Sequence, residues 1–465
     1  MLNSSNMLLS ENVLSSVINS ALSQGADFCE IYVEERLSSL MSLKSSQTEY
    51  ISGSDKGVGI RLFYGNEVFY TYTNSLDEKS LLKSLKALSS FKKPVINNQT
   101  LAEDPVIFSF KQEFPNEFKT DLAKEKQLLK NLDKDLRASS SLMSQCELSL
   151  NRIDTRVQIA NSEGLLSFDR RPYFMFRVAS IVEDKNKKEV GFERVGRTGD
   201  PYFLDEELLR KSCHRSQKMA LQNLTAEPAP AGKFPVIINK GFGGVIFHEA
   251  CGHGMETTSV AENLSVFSDK LGQKLADSCV SAYDDGTIKG QYGFIEKDDE
   301  GQPTQKTCLI EKGILKNYMV DKLGAQKTNY KMTGSSRRQS YKFAPTSRMR
   351  NTYIDKGDSS LEEMIKDVDY GLFAETLGGG SVSPGTGNYN FNVSTAFLIK
   401  KGRLDKAVKG ASLVGNGLDT LSKIKKVGQD LELSPGYCGS VSGWVPVTVG
   451  QPPLLVSELT VGGQK

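Results

Sequence analysis

Histidine is scarce in this chain. Only His214, His248 and His253 occur among 465 residues, so any chemistry built on imidazole has few possible sources. Tryptophan appears once. No window approaches the run of about 18 or more apolar residues that a membrane-spanning helix needs, which excludes that class of protein. A charge excess is also missing: the net charge of +2 lacks the basic surplus of a nucleic-acid binder, so a phosphate-backbone partner is disfavoured. The seven cysteines (Cys29, Cys146, Cys213, Cys251, Cys279, Cys308, Cys438) show no paired spacing, and an odd number cannot all form intrachain disulfides. A reducing compartment is expected. The opening MLNSSNMLLSENVLSSVINS has neither a basic n-region nor an unbroken apolar core, and its apolar residues recur at helical spacing. It reads as a first helix instead of a signal peptide, and the protein is expected to be soluble and cytoplasmic.

Hydrophobic residues at 38% and charged residues at 25% give a globular profile, and the length favours two domains, each with its own core. Val13, Val17 and Ala21 share one face of a helix following Ser10, with Gly25 as its stop. From Phe28 to Tyr72 the pattern predicts four short strands, CEIYVEE, SLMSLKS, VGIRLFY and EVFYTYT, with turns at Gly-Ser-Asp-Lys-Gly and at Gly65-Asn66. Ser75 and Glu78 form a capping box before a helix to about Ser90. A loop with Pro94, Pro105 and Pro115 precedes a second amphipathic helix from about Thr120. Strands resume from Leu148 to Val190 with a turn at Asn161–Gly164, and Phe203 to Leu221 reads as a helix that carries His214 on its surface or half-buried.

The composition breaks most clearly at Ala226-Glu-Pro-Ala-Pro-Ala-Gly232. This seam sets an α+β domain at 1–227 against a β-rich domain at 228–465. In the second domain, hairpins are predicted at Lys312-Gly313 and Lys401-Gly402, within a large mixed or closed antiparallel sheet. Leu377-Gly-Gly-Gly-Ser381 and Gly436-Tyr-Cys-Gly-Ser440 read as glycine-rich loops where backbone can approach a ligand.

The stretch GFGGVIFHEACGHGME, Gly241 to Glu256, concentrates the chemistry. A zinc peptidase needs two or three neutral or anionic ligands, an open position for water, and a carboxylate beside it. His248 and His253 supply two ligands and Glu249 the base. Their spacing is HExxxH, however, and five residues of regular helix rotate by about 140°, which would point the rings apart. A π-type bulge absorbs the extra residue, so a distorted turn is expected between the histidines, with Gly252 as its permissive position. The alternative is a regular helix with no shared metal. For a third ligand, Glu256 lies three residues beyond His253 and Cys438 lies in a glycine-flanked segment. The residues alone leave both open, and Cys251 is assigned to packing.

The chain resembles the TldD/PmbA metallopeptidase family, in its metal-bearing TldD branch. The likeness runs along essentially the whole chain. Its motifs are HEACGHGMETTSV, YDDGTIKGQYGF, DDEGQPTQKTCLIEKGILKNYMVDK, RRQSYKFAPTSRMRNTYI, the LGGG segment, Gly415 to Gly417, and CGSVSGWVPVTVGQPPLLV. The resemblance implies that His248, His253 and Cys438 bind zinc and that Glu249 is the catalytic base. It also implies an N-terminal α+β domain, a β-rich C-terminal metallopeptidase domain with the HExxxH helix, and unfolded or flexible peptides as substrates. The implied assembly is a dimer, either a homodimer or a heterodimer with a PmbA-like chain. The segment SVSGWVPV after Cys438-Gly439 departs from the glycine- and glutamine-rich, basic stretch expected there.

Two other readings compete with it. One is a cysteine peptidase using Cys438 or Cys251 with a histidine. The other is a non-catalytic assembly partner whose motif helix is only structural. Arg337 and Arg338 are read either as a grip on a peptide carboxylate or as an exposed basic turn, and Asp284 and Asp285 as a second carboxylate pair or, more simply, as turn residues.

Overall fold

The computed structural model describes residues 7–89, 121–199, 205–383 and 385–463. The loop with Pro94, Pro105 and Pro115, and the expected helix start at Phe203, lie outside them. Helix α1 (Glu11–Ser23) is capped by the Ser10 side chain, buries Leu14, Val17, Ile18 and Ala21 on one face, and is followed by Gly25 at φ +85°. It leads into strands β1 (Phe28–Lys44), β2 (Gln47–Tyr64) and β3 (Glu67–Thr73). Next come helices α2 (Glu78–Ser89) and α3 (Leu122–Ser139), strands β4 (Met143–Asn161), β5 (Leu166–Asp184) and β6 (Lys187–Thr198), and helix α4 (Glu206–Thr225). The six strands form one antiparallel sheet in the order β3-β2-β1-β4-β5-β6.

At about 3.4 Å per residue, β1 is roughly 55 Å long, so one sheet supports two separate cores along its length. Helices α1 and α2 pack near one end over Ile31, Val33, Ile60 and Leu62, and α3 and α4 near the other over Leu148, Leu150 and Phe176.

The four short strands expected between Phe28 and Tyr72 are thus three, two of them long. The Gly-Ser-Asp-Lys-Gly stretch is no turn: Gly53 pairs with Ser38 and Gly57 with Glu34 inside the β1–β2 ladder. A Cβ at Gly57 would collide with the Tyr341 ring, and one at Gly59 with Tyr70, so these glycines permit close approach. The turn falls at Ser45-Ser46, both left-handed at φ 47° and 64°. The cap of α2 is likewise displaced, since Asp77 accepts from the Ser80 N–H at 2.9 Å and Ser75 only donates to Asp77. The Gly65-Asn66 hairpin forms as read, and His214 is exposed.

The remaining strands are β7 (Glu227–Pro228), β8 (Gly232–Ile238), β9 (Ala282–Asp285), β10 (Lys306–Glu311), β11 (Ile314–Leu315), β12 (Ser336–Arg337), β13 (Thr346–Ser347) and β14 (Asn351–Ile354). They continue as β15 (Tyr370–Ser383), β16 (Asn388–Lys400), β17 (Arg403–Lys409), β18 (Ser412–Asn416), β19 (Ile424–Val427), β20 (Glu432–Ser440), β21 (Gly443–Gln451) and β22 (Leu454–Gly462). Strands β15, β8, β22, β18 and β16 pair in sequence, and β16 pairs back to β15, closing a ring. The β8–β15 contact is parallel and the rest antiparallel, so the ring is both mixed and closed. A second sheet runs β11-β10-β9-β14-β21-β20. The fold is α+β.

The hairpin at Lys312-Gly313 (φ 47°, 82°) and that at Lys401-Gly402 (φ 50°, 70°) have the left-handed pairs their sequences called for. The two glycine-rich segments are strands, however: Leu377–Ser381 lies in β15 and Gly436–Ser440 in β20. A Cβ at Gly380 would collide with the Phe391 side chain, so that glycine lets the ladder close.

Arg337 and Arg338 form neither an exposed turn nor an open carboxylate grip. Both are buried; Arg338 bonds Glu30 at 2.6 Å, and Arg337 donates to the Met349 and Pro446 carbonyls. With Arg61, which bridges Glu30 and Glu300 at 2.7 Å each, Arg338 joins the N-terminal sheet to the C-terminal part. Asp285 accepts from Thr287 as a turn residue does, whereas Asp284 is fully buried and paired with Arg350 at 2.7 Å.

Candidate metal centre

A single helical run carries the histidines. It begins with a 3-10 turn, Gly241–Gly244, continues through α5 (Val245–Phe247) into a π turn, His248–Gly252, and ends in a 3-10 turn, His253–Met255. The π turn stands where the five-residue spacing requires it, and the His253 N–H donates to the His248 carbonyl. Val245, Ile246, Phe247, Ala250, Cys251 and Met255 sink into the main core, fixing the buried side of the run. Gly244 lies where a Cβ would strike the Gly450 carbonyl, so the run backs directly onto β21. Gly252 has ordinary right-handed geometry (φ −56°, ψ −52°). It is needed for room instead, because a Cβ there would collide with Met349 Sδ, as one at Gly254 would with Phe267.

Strand β20 brings Cys438 to the histidines from the far end of the chain. One ligand atom each from His248, His253 and Cys438 lie within 4.8 Å of one another. Cys438 Sγ is 3.1 Å from His253 Nε2. The imidazoles stand 5.4 Å apart between centroids and are inclined by 82°. His248 and Cys438 are each only 1% exposed, whereas the Glu249 side chain is 27% exposed with its Oε2 3.6 Å from His253 Nε2. Glu256 lies on the other side of the same ring, its Oε2 3.0 Å from His253 Nδ1. Cys251 lies outside the cluster, lining an apolar pocket with Ile246, Phe247 and Thr420, and burial pushes its thiol above the ordinary range.

The electrostatics of the cluster are those of a charged pair. Burial opposes ionisation of Cys438, but His253 and His248 outweigh it and hold the thiol well below its usual range. Burial likewise opposes protonation of His253, yet Glu256 and Cys438 raise it well above an ordinary imidazole. Two imidazole nitrogens and a thiolate sulfur are a donor set that tetrahedral zinc accepts. Ligand bonds of about 2.0–2.3 Å would set neighbouring ligand atoms roughly 3.3–3.7 Å apart. The separations here, 3.1 Å for Cys438 Sγ to His253 Nε2 and all within 4.8 Å, bracket that spacing, so the donor set suits such an ion after small side-chain adjustments.

Sequence reasoning missed Arg348, whose Nη2 donates to the Cys438 carbonyl at 2.6 Å, and Met349, which abuts Gly252. Nothing in Ser-Arg-Met-Arg announces a role, because the partners of Arg348 lie 90–95 residues away in one direction and the histidines 95–100 in the other.

Three consecutive family models match the chain. Residues 29–90 match PmbA/TldA metallopeptidase domain 1, residues 113–224 the central domain, and residues 231–463 the C-terminal domain. The chain belongs to the PmbA/TldD metallopeptidase family. The motif run and Cys438 both lie in this family's C-terminal domain. Among its relatives, the metalloprotease TldD homolog of Buchnera aphidicola (subspecies Acyrthosiphon pisum) is 35% identical, covering 94% of this chain and 93% of that protein. The metalloprotease TldD homolog of Haemophilus influenzae is 36% identical, over 88% and 87%. The crystal structure of TldE from Thermococcus kodakarensis shares the fold, with a TM-score of 0.74 at 17% identity over 97% of this chain and 100% of that one.

Proposed function

We propose that this chain is a zinc-dependent peptidase acting on unfolded or flexible peptides, with His248, His253 and Cys438 as zinc ligands and Glu249 as general base. The observation that carries the reading is the convergence of two imidazoles and a remote thiol beside a carboxylate that alone among them is substantially exposed. His248, His253 and Cys438 would hold the zinc, which would supply a Lewis acid for the scissile carbonyl and lower the pKa of the attacking water to about 7. Glu249 takes the proton of the attacking water as the C–O bond forms, and delivers it to the amide nitrogen as the C–N bond breaks. Glu256, 3.0 Å from His253 Nδ1, would orient the ring and, by accepting from Nδ1–H, leave Nε2 for the metal. Strand β20 is the outer strand of its sheet, which suits a peptide added as a further strand.

The Cys438–His253 contact also resembles a thiol–imidazole dyad. A nucleophile that is 1% exposed has little access to substrate, and that reading leaves His248 and Glu249 unused. The reading includes a dimer, either of two copies or with a PmbA-like chain, and a cytoplasmic location; membership of a family that contains both TldD and TldE chains supports the mixed pairing. Among the described residues no helix is long and apolar enough to cross a membrane. The division into domains at 1–227 and 228–465 belongs to the same reading, supported by the confinement of β1–β6 to residues before 199.

The test pairs metal analysis with cleavage of an unfolded protein substrate. Glu249→Gln should retain zinc and lose cleavage by about 100-fold or more; unchanged cleavage removes Glu249 from the mechanism. Zinc retained in full by Cys438→Ala would overturn the ligand set.

A further inference from the structure

The segment Arg348-Met349-Arg350 is fully buried, an unusual place for two guanidinium groups. Arg350 has a carboxylate partner in Asp284. Arg348 has none among its hydrogen-bond partners. Its Nη1 donates to Ser442 Oγ at 2.8 Å and to the Gly443 carbonyl at 2.9 Å, and its Nη2 to the Cys438 carbonyl at 2.6 Å. All three acceptors belong to the turn and strand ends that join β20 to β21. Burying a guanidinium without an anion is unfavourable unless fixed acceptors replace its water, and a two-strand hairpin does not need one to close. The planar fork does something a hairpin cannot do alone: it fixes the orientation of one peptide group from the opposite side.

The rest of the segment is tied to the histidines. The Arg348 N–H donates to the Ser335 carbonyl at 2.8 Å, anchoring the backbone. Met349 lies against Gly252, inside the π turn between His248 and His253, and Arg337 holds the Met349 and Pro446 carbonyls together. One dipeptide therefore touches both halves of the centre, residue 348 the strand carrying the thiol and residue 349 the turn carrying the imidazoles.

We infer that Arg348 is a positioning residue that sets the place of Cys438 Sγ relative to the two imidazoles. This rests on Cys438 being a ligand, as proposed above. Arg348 touches neither substrate nor metal, and acts through the Cys438 peptide group.

The experiment measures zinc affinity by competition with a chromogenic chelator, together with the thiolate-to-metal charge-transfer band after cobalt substitution, in the full-length protein. Arg348→Lys keeps the charge but loses the fork. It should weaken zinc binding by about 10–100-fold, the range seen when groups supporting a ligand are removed, and should diminish the cobalt–thiolate band. Arg350→Lys, in the same buried motif but paired with Asp284, should leave zinc affinity and the band close to wild type even if it lowers thermal stability. Unchanged affinity in Arg348→Lys, or an equal loss in Arg350→Lys, overturns the inference. If Arg348→Lys does not fold, Ser442→Ala decides: it removes one acceptor of the fork, and a wild-type affinity and band in that variant also overturn it. Cys438→Ala is the reference. If it keeps its zinc, the ligand set itself is wrong; if it loses zinc while Arg348→Lys keeps it, only the positioning role fails.

Discussion

The backbone N–H of His253 donates to the carbonyl of His248, so the two histidines are linked by the hydrogen bond that defines the π turn between them. A regular turn would have bonded residues four apart and rotated the second ring away. The bond makes the five-residue spacing a consequence of helix geometry, and the neighbours of the turn decide what it tolerates.

Gly252→Ala should destabilise the protein by about 1–3 kcal/mol, because the added methyl meets Met349 within a packed core. Met349→Ala should cost stability by itself through the cavity it leaves. The double variant should be more stable than the sum of the two losses, since the collision is gone. Thermal unfolding of the four proteins measures this coupling, and strict additivity would refute the contact as the reason for glycine.

Glu256→Gln should weaken zinc binding by about 10–100-fold without changing the amount bound at saturation. The carboxylate contacts His253 Nδ1 and not the side of the ring that faces Cys438. A stoichiometry falling below that of wild type at saturating zinc would instead make Glu256 a ligand.

Chelation should abolish peptide cleavage, and added zinc should restore it. Iodoacetamide applied to the zinc-loaded protein should leave cleavage intact, because Cys438 and Cys251 are both buried. The opposite pattern, resistance to chelator and loss on alkylation, is what a cysteine peptidase would give.

Glu34 on β1 supplies a pH prediction away from the metal centre. Burial is the leading cause that pushes its carboxyl up to about 7, with Asp299 adding to the rise and Arg36, Arg171 and a hydrogen bond with Tyr32 opposing it. A carboxyl whose folded pKa is raised stabilises the fold below its unfolded pKa, and that contribution is lost as pH climbs through the folded value. The loss amounts to about 3 kcal/mol between roughly pH 4.5 and 7. Glu34→Gln cannot ionise, so its urea midpoint should vary less over this window and exceed wild type at about pH 8. Parallel pH profiles for the two proteins would refute the assignment.

Local rules carried the reading of the sequence as far as local physics reaches. The offset between His248 and His253 demanded a distorted turn, and the Lys-Gly pairs at 312–313 and 401–402 demanded left-handed hairpins; both follow from backbone geometry within a few residues. The failures share one cause. Gly57 and Gly380 look like turn or loop residues, but each is glycine because a distant side chain, Tyr341 or Phe391, occupies the place of a Cβ. Arg337 and Arg338 look like surface charge until Glu30, Asp299 and two backbone carbonyls arrive from elsewhere. For the third member of the cluster, residue patterns left Glu256 and Cys438 level. The preference for Cys438 came from family resemblance, since no local rule reaches across the intervening chain.

His253 and Cys438 are 185 residues apart, and β22, which closes the ring beside β8, comes later still. A ribosome that has delivered the helical run must therefore continue to β20 before the imidazoles can meet their thiol, and to β22 before the wall behind them is complete. During that interval the growing polypeptide holds two histidines and a glutamate without the remaining member. A chain terminated before β20 stays in that condition and cannot assemble the cluster.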